Sequence, residues 1–383
     1  MIEFIHPALR NYRLELFEKL HKKYNMKFIF TLHTEGEDFG GINIPSEWNF
    51  ENIFLKGFLT SSSVYRKGSF INCLRFMKRL LTDDYDLMIT GPLEMQYSLV
   101  ALMISRLRSK KIIIWGECWY LVEDTLYRKL YNKLMKSVLK KADACIASGE
   151  KPKEYYKKFF SGEVKVFNIR NYVVPYQPKD TSELITKLAE KDKNILNKKV
   201  VLYMSQIIRR KGLDYLIKAF KLLEDDLSNV YLLIAGSGPF EEHCKTLVDE
   251  LGIKNVMFGG YVSDEEIELY HNICDVLVLP AIFYENCPEA IGYIICESMS
   301  IGKPLVVTDA VGAAPEYVQD GVNGFVVPEK NAEQLYEALA KILSNEEMAK
   351  EMGKRSKEIQ KEKLSLDKQF EAFNTAIEYV MKK

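Results

Sequence analysis

The tightest constraint on this chain is a pair of short, uninterrupted apolar runs, Val276-Leu277-Val278-Leu279-Pro280 and Pro304-Leu305-Val306-Val307-Thr308, separated by one helix-length stretch. Such runs read as strands buried on both faces, the kind that parallel sheets contain. Parallel neighbours need a right-handed crossover. The stretch from Pro288 to Met299, closed by Gly302-Lys303-Pro304, therefore reads as a loop and then a helix. A helix starting between Glu289 and Gly292 points its unpaired N–H groups and positive dipole end at the carboxyl edge of the strands, where α/β sheets take their ligands. That position suits a phosphate.

Two carboxylates, Glu289 and Glu297, sit on this element. On one continuous helix they would lie ~12 Å apart and roughly on the same side, at ~1.5 Å rise per residue. The gap is too long for one acid/base pair. It suits two carboxylates that each accept hydrogen bonds from a different sugar of one long ligand, with phosphates held between them by backbone N–H groups. The plain alternative is an acid favouring the helix dipole and a solvated face residue.

The same strand-loop-helix alternation runs through all 383 residues, enough for two domains. The expected division is 1–175, a lysine-rich linker at 176–198, 199–365, and a last helix at 366–383 that is a candidate to cross back to the first domain. Each domain reads as a doubly wound, Rossmann-like parallel sheet, the two facing across a cleft. Hydrophobic content of 47% and charged content of 28% fit globular domains. The N-terminus lacks a basic region followed by a long apolar core, so no signal peptide is expected, and no run reaches the ~20 apolar residues of a membrane span. Seven scattered cysteines without a C-x-x-C pair point to reduced thiols in the cytoplasm, and five scattered histidines suggest no metal site.

Charge divides the halves. Residues 1–175 hold 28 Lys and Arg against 19 Asp and Glu. A basic first half suits an anionic acceptor or a membrane surface, although solvated helix faces account for part of the excess. Within it, Arg10 and Arg13 follow the first strand, as cleft-lining cations or as helix-surface charge. Residues 69–81 mix Phe70, Ile71, Leu74, Met77 and Leu81 with Arg75, Lys78 and Arg79. They read either as a membrane-surface helix or as an ordinary amphipathic helix whose apolar stripe faces the core. Glu117, between Trp115 and Trp119 at a strand's carboxyl end, suggests a wall on which sugar rings stack, or a packed corner. In the second half, Arg209-Arg210-Lys211 before Gly212 places cations in the first strand-to-helix loop, which favours anion binding. Gly236-Ser237-Gly238-Pro239 alone is weak, lacking the third glycine of a dinucleotide fingerprint.

Taken in order, Lys211-Gly212, Gly236-Ser237-Gly238-Pro239, Glu289 and Glu297 with Gly292 between them, Gly302-Lys303-Pro304 and Asn323-Gly324 resemble the family-four glycosyltransferases of the GT-B fold. The likeness is close over about 198–345 and thin before that, apart from Asn171. It implies a retaining transfer of a sugar from a nucleotide sugar to an acceptor hydroxyl. It further implies that Lys211 stabilises the leaving diphosphate, that Glu289 holds the donor sugar and that Glu297 holds the ribose. The N–H groups of Ala290, Ile291 and Gly292 would cradle the donor, with Gln206, Arg210 and Gly238 beside it. On the acceptor side the candidates are Arg10, Glu117 and Trp119. The sequence departs from the pattern at Gln206, where the family has an arginine, at Ala290-Ile291, where it has Gly-Phe, and around Glu117, where it has a histidine. The implied partners are a UDP- or GDP-linked sugar and a glycan or lipid-linked glycan, with no metal, no cofactor and no nucleic acid. The implied place is the cytoplasm, peripheral at the inner membrane face, in surface-polysaccharide or glycolipid synthesis. A nucleotide-sugar epimerase and a non-catalytic nucleotide-sugar-binding protein are the other readings of the same motifs.

Overall fold

The computed structural model describes residues 1–7, 11–31, 50–52, 70–91, 95–120, 126–285 and 289–383. The chain forms two compact units, Met1–Tyr172 with Leu366–Lys383, and Val173–Ser365.

Unit 1 contains β1 (Ile2–His6), α1 (Asn11–Tyr24), β2 (Lys27–Phe30), β3 (Phe50–Asn52), α2 (Phe70–Thr82), β4 (Leu87–Thr90), α3 (Gln96–Leu107), β5 (Lys111–Gly116), α4 (Leu126–Leu139), β6 (Ala144–Ser148), α5 (Glu150–Phe159) and β7 (Lys165–Ile169). Among the described residues these strands make one parallel sheet in the order β3-β2-β1-β4-β5-β6-β7. The strands bury both faces. Ile5 packs with Phe76, Tyr97 and Tyr156 under α2 to α5, while its neighbour Phe4 packs with Phe17 and Trp115 on the other side. Alternate residues point to opposite faces of a strand, so one run of apolar residues feeds both cores.

Unit 2 contains α6 (Ser182–Lys191), β8 (Lys199–Met204), α7 (Leu213–Asp226), β9 (Val230–Ala235), α8 (Glu241–Leu251), β10 (Val256–Gly260), α9 (Ile267–Ile273), β11 (Val276–Leu279), α10 (Tyr293–Ile301), β12 (Leu305–Thr308), α11 (Ala314–Tyr317), β13 (Gly324–Val327), α12 (Ala332–Ser344) and α13 (Glu346–Lys363). Its sheet is parallel in the order β10-β9-β8-β11-β12-β13. The order reverses beside β8, and such a switch point opens a crevice at the strands' carboxyl ends.

The structure departs from the sequence reading at three places, and a fourth expectation lies outside the described residues. The segment read as a linker, 176–198, carries α6, whose Leu184 and Leu188 are buried. Three helices finish the chain, α12, α13 and α14 (Leu366–Lys382), where the sequence pattern reads as two. In α2 the core side is Cys73, Phe76 and Leu80, whereas Ile71, Leu74 and Leu81, which were read into the core stripe, are exposed. The two sets lie on opposite sides of the helix, and the sheet takes the one carrying the phenylalanine. A short strand expected at Ile53 to Leu55 falls outside the described residues; β3 ends at Asn52.

The last helix, α14, packs on β5, β6, β7 and α1. Phe373, Ile377 and Val380 are fully buried there, with Phe373 edge-on to Trp115 at 5.3 Å.

Candidate functional site

The loop after β8 ends in a tight turn, Arg209–Lys211, closed by Gly212. Gly212 has φ +66°, and a Cβ there would run into the Pro280 carbonyl oxygen, so only glycine fits. The turn is pinned from the other side as well, because the Ile282 N–H donates to the Arg210 carbonyl at 2.8 Å. Side chains from this turn and from the segment before α10 meet at Glu289. One of its oxygens, Oε2, accepts from Arg210 Nη1 at 2.5 Å and from Lys211 Nζ at 2.6 Å. Burial works against the Glu289 charge, but Lys211 and then Arg210 outweigh it and hold the carboxyl below its ordinary range.

Glu289 does not lie on the helix. It forms an isolated bridge with Val311, its carbonyl accepting from the Gly312 N–H at 2.7 Å. The helix starts only at Tyr293, after Gly292 turns the chain with φ +67°. The expectation of two carboxylates on one continuous helix is therefore corrected. The left-handed glycine breaks the helical path between them, and the ~12 Å estimate built on that path lapses. The break leaves a bend of backbone ahead of α10. Among the described residues, none accepts a hydrogen bond from the N–H of Ala290, Ile291 or Gly292.

Glu297, on α10, is held by a different device. His271 is fully buried on α9, with Nε2 3.2 Å from Glu297 Oε2 and Nδ1 2.7 Å from Ser298 Oγ. A carboxylate only accepts, so Nε2 carries the proton. The other ring nitrogen, Nδ1, meets the Ser298 hydroxyl. The Ser300 hydroxyl donates to the Glu297 carbonyl and accepts from the Tyr176 N–H. Burial, then Glu297, pushes the Tyr176 phenol upward. None of His271, Ser298, Ser300 and Tyr176 was singled out from the sequence. No spacing links position 271 to 297, and a histidine in a helix carries no signal until its neighbour is known.

Other motif residues hold backbone. Gly238 lies against the Ile207 carbonyl, where a side chain would not fit, and the Ile207 N–H donates to the Ser237 carbonyl. Lys303 donates to the carbonyls of Asn272 and Cys274 at the end of α9. Asn323 bonds Tyr317 and Gln319, and Gly324 passes against Leu305. Gln206 is exposed, and the second cation at Glu289 is Arg210.

In unit 1, Glu117 is placed with Arg13, whose Nη2 donates to it at 2.5 Å. Arg13 also donates to His6 Nε2, which fixes that ring as the neutral tautomer with its proton on Nδ1, and its guanidinium lies 4.4 Å from the Trp115 ring centroid. The Trp115 indole donates to Ser148 Oγ at 2.7 Å. Trp119 carries Lys151 over its ring at 4.5 Å. Arg10 lies outside the described residues. Among those described, no group of three His, Cys, Asp or Glu side chains could hold a metal ion.

The chain aligns with a solved structure, Anabaena HepE in complex with UDP, at a TM-score of 0.74 over 98% of this chain and 99% of that one, with 16% identity. The chain has the GT-B fold. Within this GT-B chain, residues 173–359 match the model of the family "Glycosyl transferases group 1". Over 161 residues, 41% of the chain, it is 29% identical to the GDP-mannose-dependent alpha-(1-6)-phosphatidylinositol monomannoside mannosyltransferase of Mycobacterium tuberculosis, of which that stretch spans 42%. Over 256 residues it is 24% identical to the O-antigen chain mannosyltransferase C of Escherichia coli, covering 66% of this GT-B chain and 65% of that protein. The matched stretches thus span from about two fifths to two thirds of these relatives' lengths.

Proposed function

We propose that this protein is a retaining glycosyltransferase that moves a sugar from a nucleoside-diphosphate sugar to an acceptor hydroxyl. One observation carries the reading: Arg210 and Lys211 converge on one carboxylate oxygen of Glu289, beside the bend that opens α10. Among the described residues two cations face this one carboxylate oxygen, beside the bend ahead of a helix N-terminus, which suits a diphosphate.

Each residue then has a task. Lys211 and Arg210 meet the charge that builds on the leaving diphosphate, which lowers the barrier only if they bind the transition state better than the ground state. Glu289, already held in place by both cations, accepts from hydroxyls of the donor sugar. Glu297, oriented by His271, accepts from the ribose. The N–H groups of Ala290, Ile291 and Gly292 hold donor oxygens. With these cations in place the reaction needs no metal and no further cofactor. The donor is UDP- or GDP-linked, in keeping with the UDP bound by HepE and the GDP-mannose named for the mycobacterial relative. The acceptor is a glycan or lipid-linked glycan at the cytoplasmic face, with Glu117 and Trp119 on the acceptor side.

The test is a thermal-shift screen against UDP, GDP, ADP, CMP and their sugar conjugates, since a ligand that binds only the folded state raises the apparent stability. A shift with UDP or GDP and its sugar conjugates, followed by transfer from that donor with the anomeric configuration kept, is the expected result. No shift with any of them would overturn the reading, and an isomerised sugar nucleotide without release of nucleoside diphosphate would replace it with epimerase chemistry.

A further inference from the structure

Around the start of the expected linker the chain is bound closely within unit 2. Residues 171–181 form neither helix nor strand. Their backbone N–H groups still need partners. From Pro175 to Lys179 the two prolines have none to satisfy, and the other three N–H groups all donate to side chains of α9 and α10. That of Tyr176 reaches Ser300 Oγ at 2.9 Å, that of Gln177 reaches Glu268 Oε1 at 2.6 Å, and that of Lys179 reaches Asn272 Oδ1 at 3.3 Å. Asn272 Nδ2 donates back to the Gln177 carbonyl at 3.2 Å, and Lys179 Nζ pairs with the other oxygen of Glu268. These five residues are a strap laid over the two helices that carry His271 and Glu297.

The strap sets the half-buried Tyr176 against His271, with ring centroids 5.8 Å apart and planes tilted by 43°. His271 already meets Glu297 through Nε2 and Ser298 through Nδ1. Two bonds in the plane of a ring still let it tilt about the line through both nitrogens, and packing on its face removes that freedom. Ser300 joins the strap to Glu297 by a second route, accepting from the Tyr176 N–H and donating to the Glu297 carbonyl. The Tyr176 hydroxyl has no hydrogen-bond partner among the described residues, so what the fold uses is the ring.

We propose that Tyr176 is a positioning residue of the donor site: by covering a face of His271 it fixes the direction in which that ring presents its N–H to Glu297, and with it the carboxylate that receives the nucleotide. The inference rests on the reading of Glu297 as the acceptor of the ribose hydroxyls, and its test separates the two.

The experiment is titration calorimetry of the full chain with UDP and with GDP, followed through the variants with whichever the parent binds more tightly. Tyr176→Leu should weaken that nucleotide roughly fivefold, within the range of an aromatic pair. Tyr176→Phe keeps the ring and should return affinity to within about twofold of the parent. Ser300→Ala, which releases the strap without removing the ring, should cost about threefold. In a Glu297→Ala background Tyr176→Leu should cost nothing more, because the carboxylate it positions is gone. A loss that persists in that background, a Tyr176→Phe variant as weak as Tyr176→Leu, or a Tyr176→Leu variant with a lower melting temperature but the parent's affinity would each overturn the inference and leave the role of Glu297 standing. A parent that binds neither nucleotide, or a Glu297→Ala variant that binds as the parent does, would overturn the ribose reading and this inference together.

Discussion

At the carboxyl edge of each sheet an arginine holds a glutamate, but the two arrangements balance their charge differently. In unit 1, Arg13 is nearly buried, rests on Trp115, and serves one carboxylate and one imidazole, so in the described contacts one cation meets one anion. In unit 2, Arg210 and Lys211 share one oxygen of Glu289, so in the described contacts two cations meet one anion. A balanced cluster is complete by itself, whereas an unbalanced one is stabilised further by an incoming anion. The first arrangement reads as architecture, the second as a seat.

Four experiments bear on that contrast, from the largest effect to the smallest. Arg13→Leu should destabilise unit 1 by roughly 3–5 kcal/mol, since it strands Glu117 at a largely buried site. Adding Glu117→Leu should recover much of the loss in urea unfolding. A double variant no more stable than the single would show that the pair is more than a balanced brace. Lys211→Ala should lower kcat by about 10²–10³ with little change in donor KM, the signature of a group that acts on developing charge. An unchanged kcat would take Lys211 out of the chemistry.

Glu297→Ala should weaken free nucleotide and nucleotide sugar alike, by roughly 10–100-fold, the scale of hydrogen bonds to a charged group. Glu289→Ala should spare the free nucleotide. Calorimetry showing the same loss for both ligands in both variants would mean the two carboxylates have been given the wrong tasks. His271→Asn should cost less, about tenfold in nucleotide affinity, with kcat at saturating donor preserved because His271 acts through Glu297.

Acid sharpens the comparison further. The Glu289 carboxyl is held below its ordinary value of 4.5 in the folded state, so its contribution to stability is fully present above that value and is lost as pH falls through the folded pKa. Glu289→Gln should flatten the stability of unit 2 in that acid window and leave the slope above pH 5 as it was. An identical acid limb in the parent and the variant would remove Glu289 from the balance.

Much of the fold was legible because buried parallel strands announce themselves. Val276 to Leu279 and Leu305 to Thr308 are continuous apolar runs, and nothing else in a sheet tolerates them. The α2 stripe was harder to read, since that helix is apolar on both sides and periodicity alone cannot say which side meets the sheet. In the site, the cations and Glu289 were legible through their order along the chain. The helix start was placed too early because Gly292 looks like any glycine until its φ is known. His271 was invisible because its meaning lies entirely in what stands 26 residues further on.

Unit 1 is built from two pieces of chain, and all of unit 2 is made between them. Phe373, Ile377 and Val380, which close one side of the first sheet, leave the ribosome only after all of unit 2. At ~5–20 residues per second the wait is on the order of ten seconds or more, during which Phe4, Phe17 and Trp115 lack their cover. Unit 2, contiguous in sequence, can complete its core before the unit that precedes it. Chain growth and folding therefore run in opposite orders here, and shortening the chain at Ser365 should be felt first at the amino-terminal sheet.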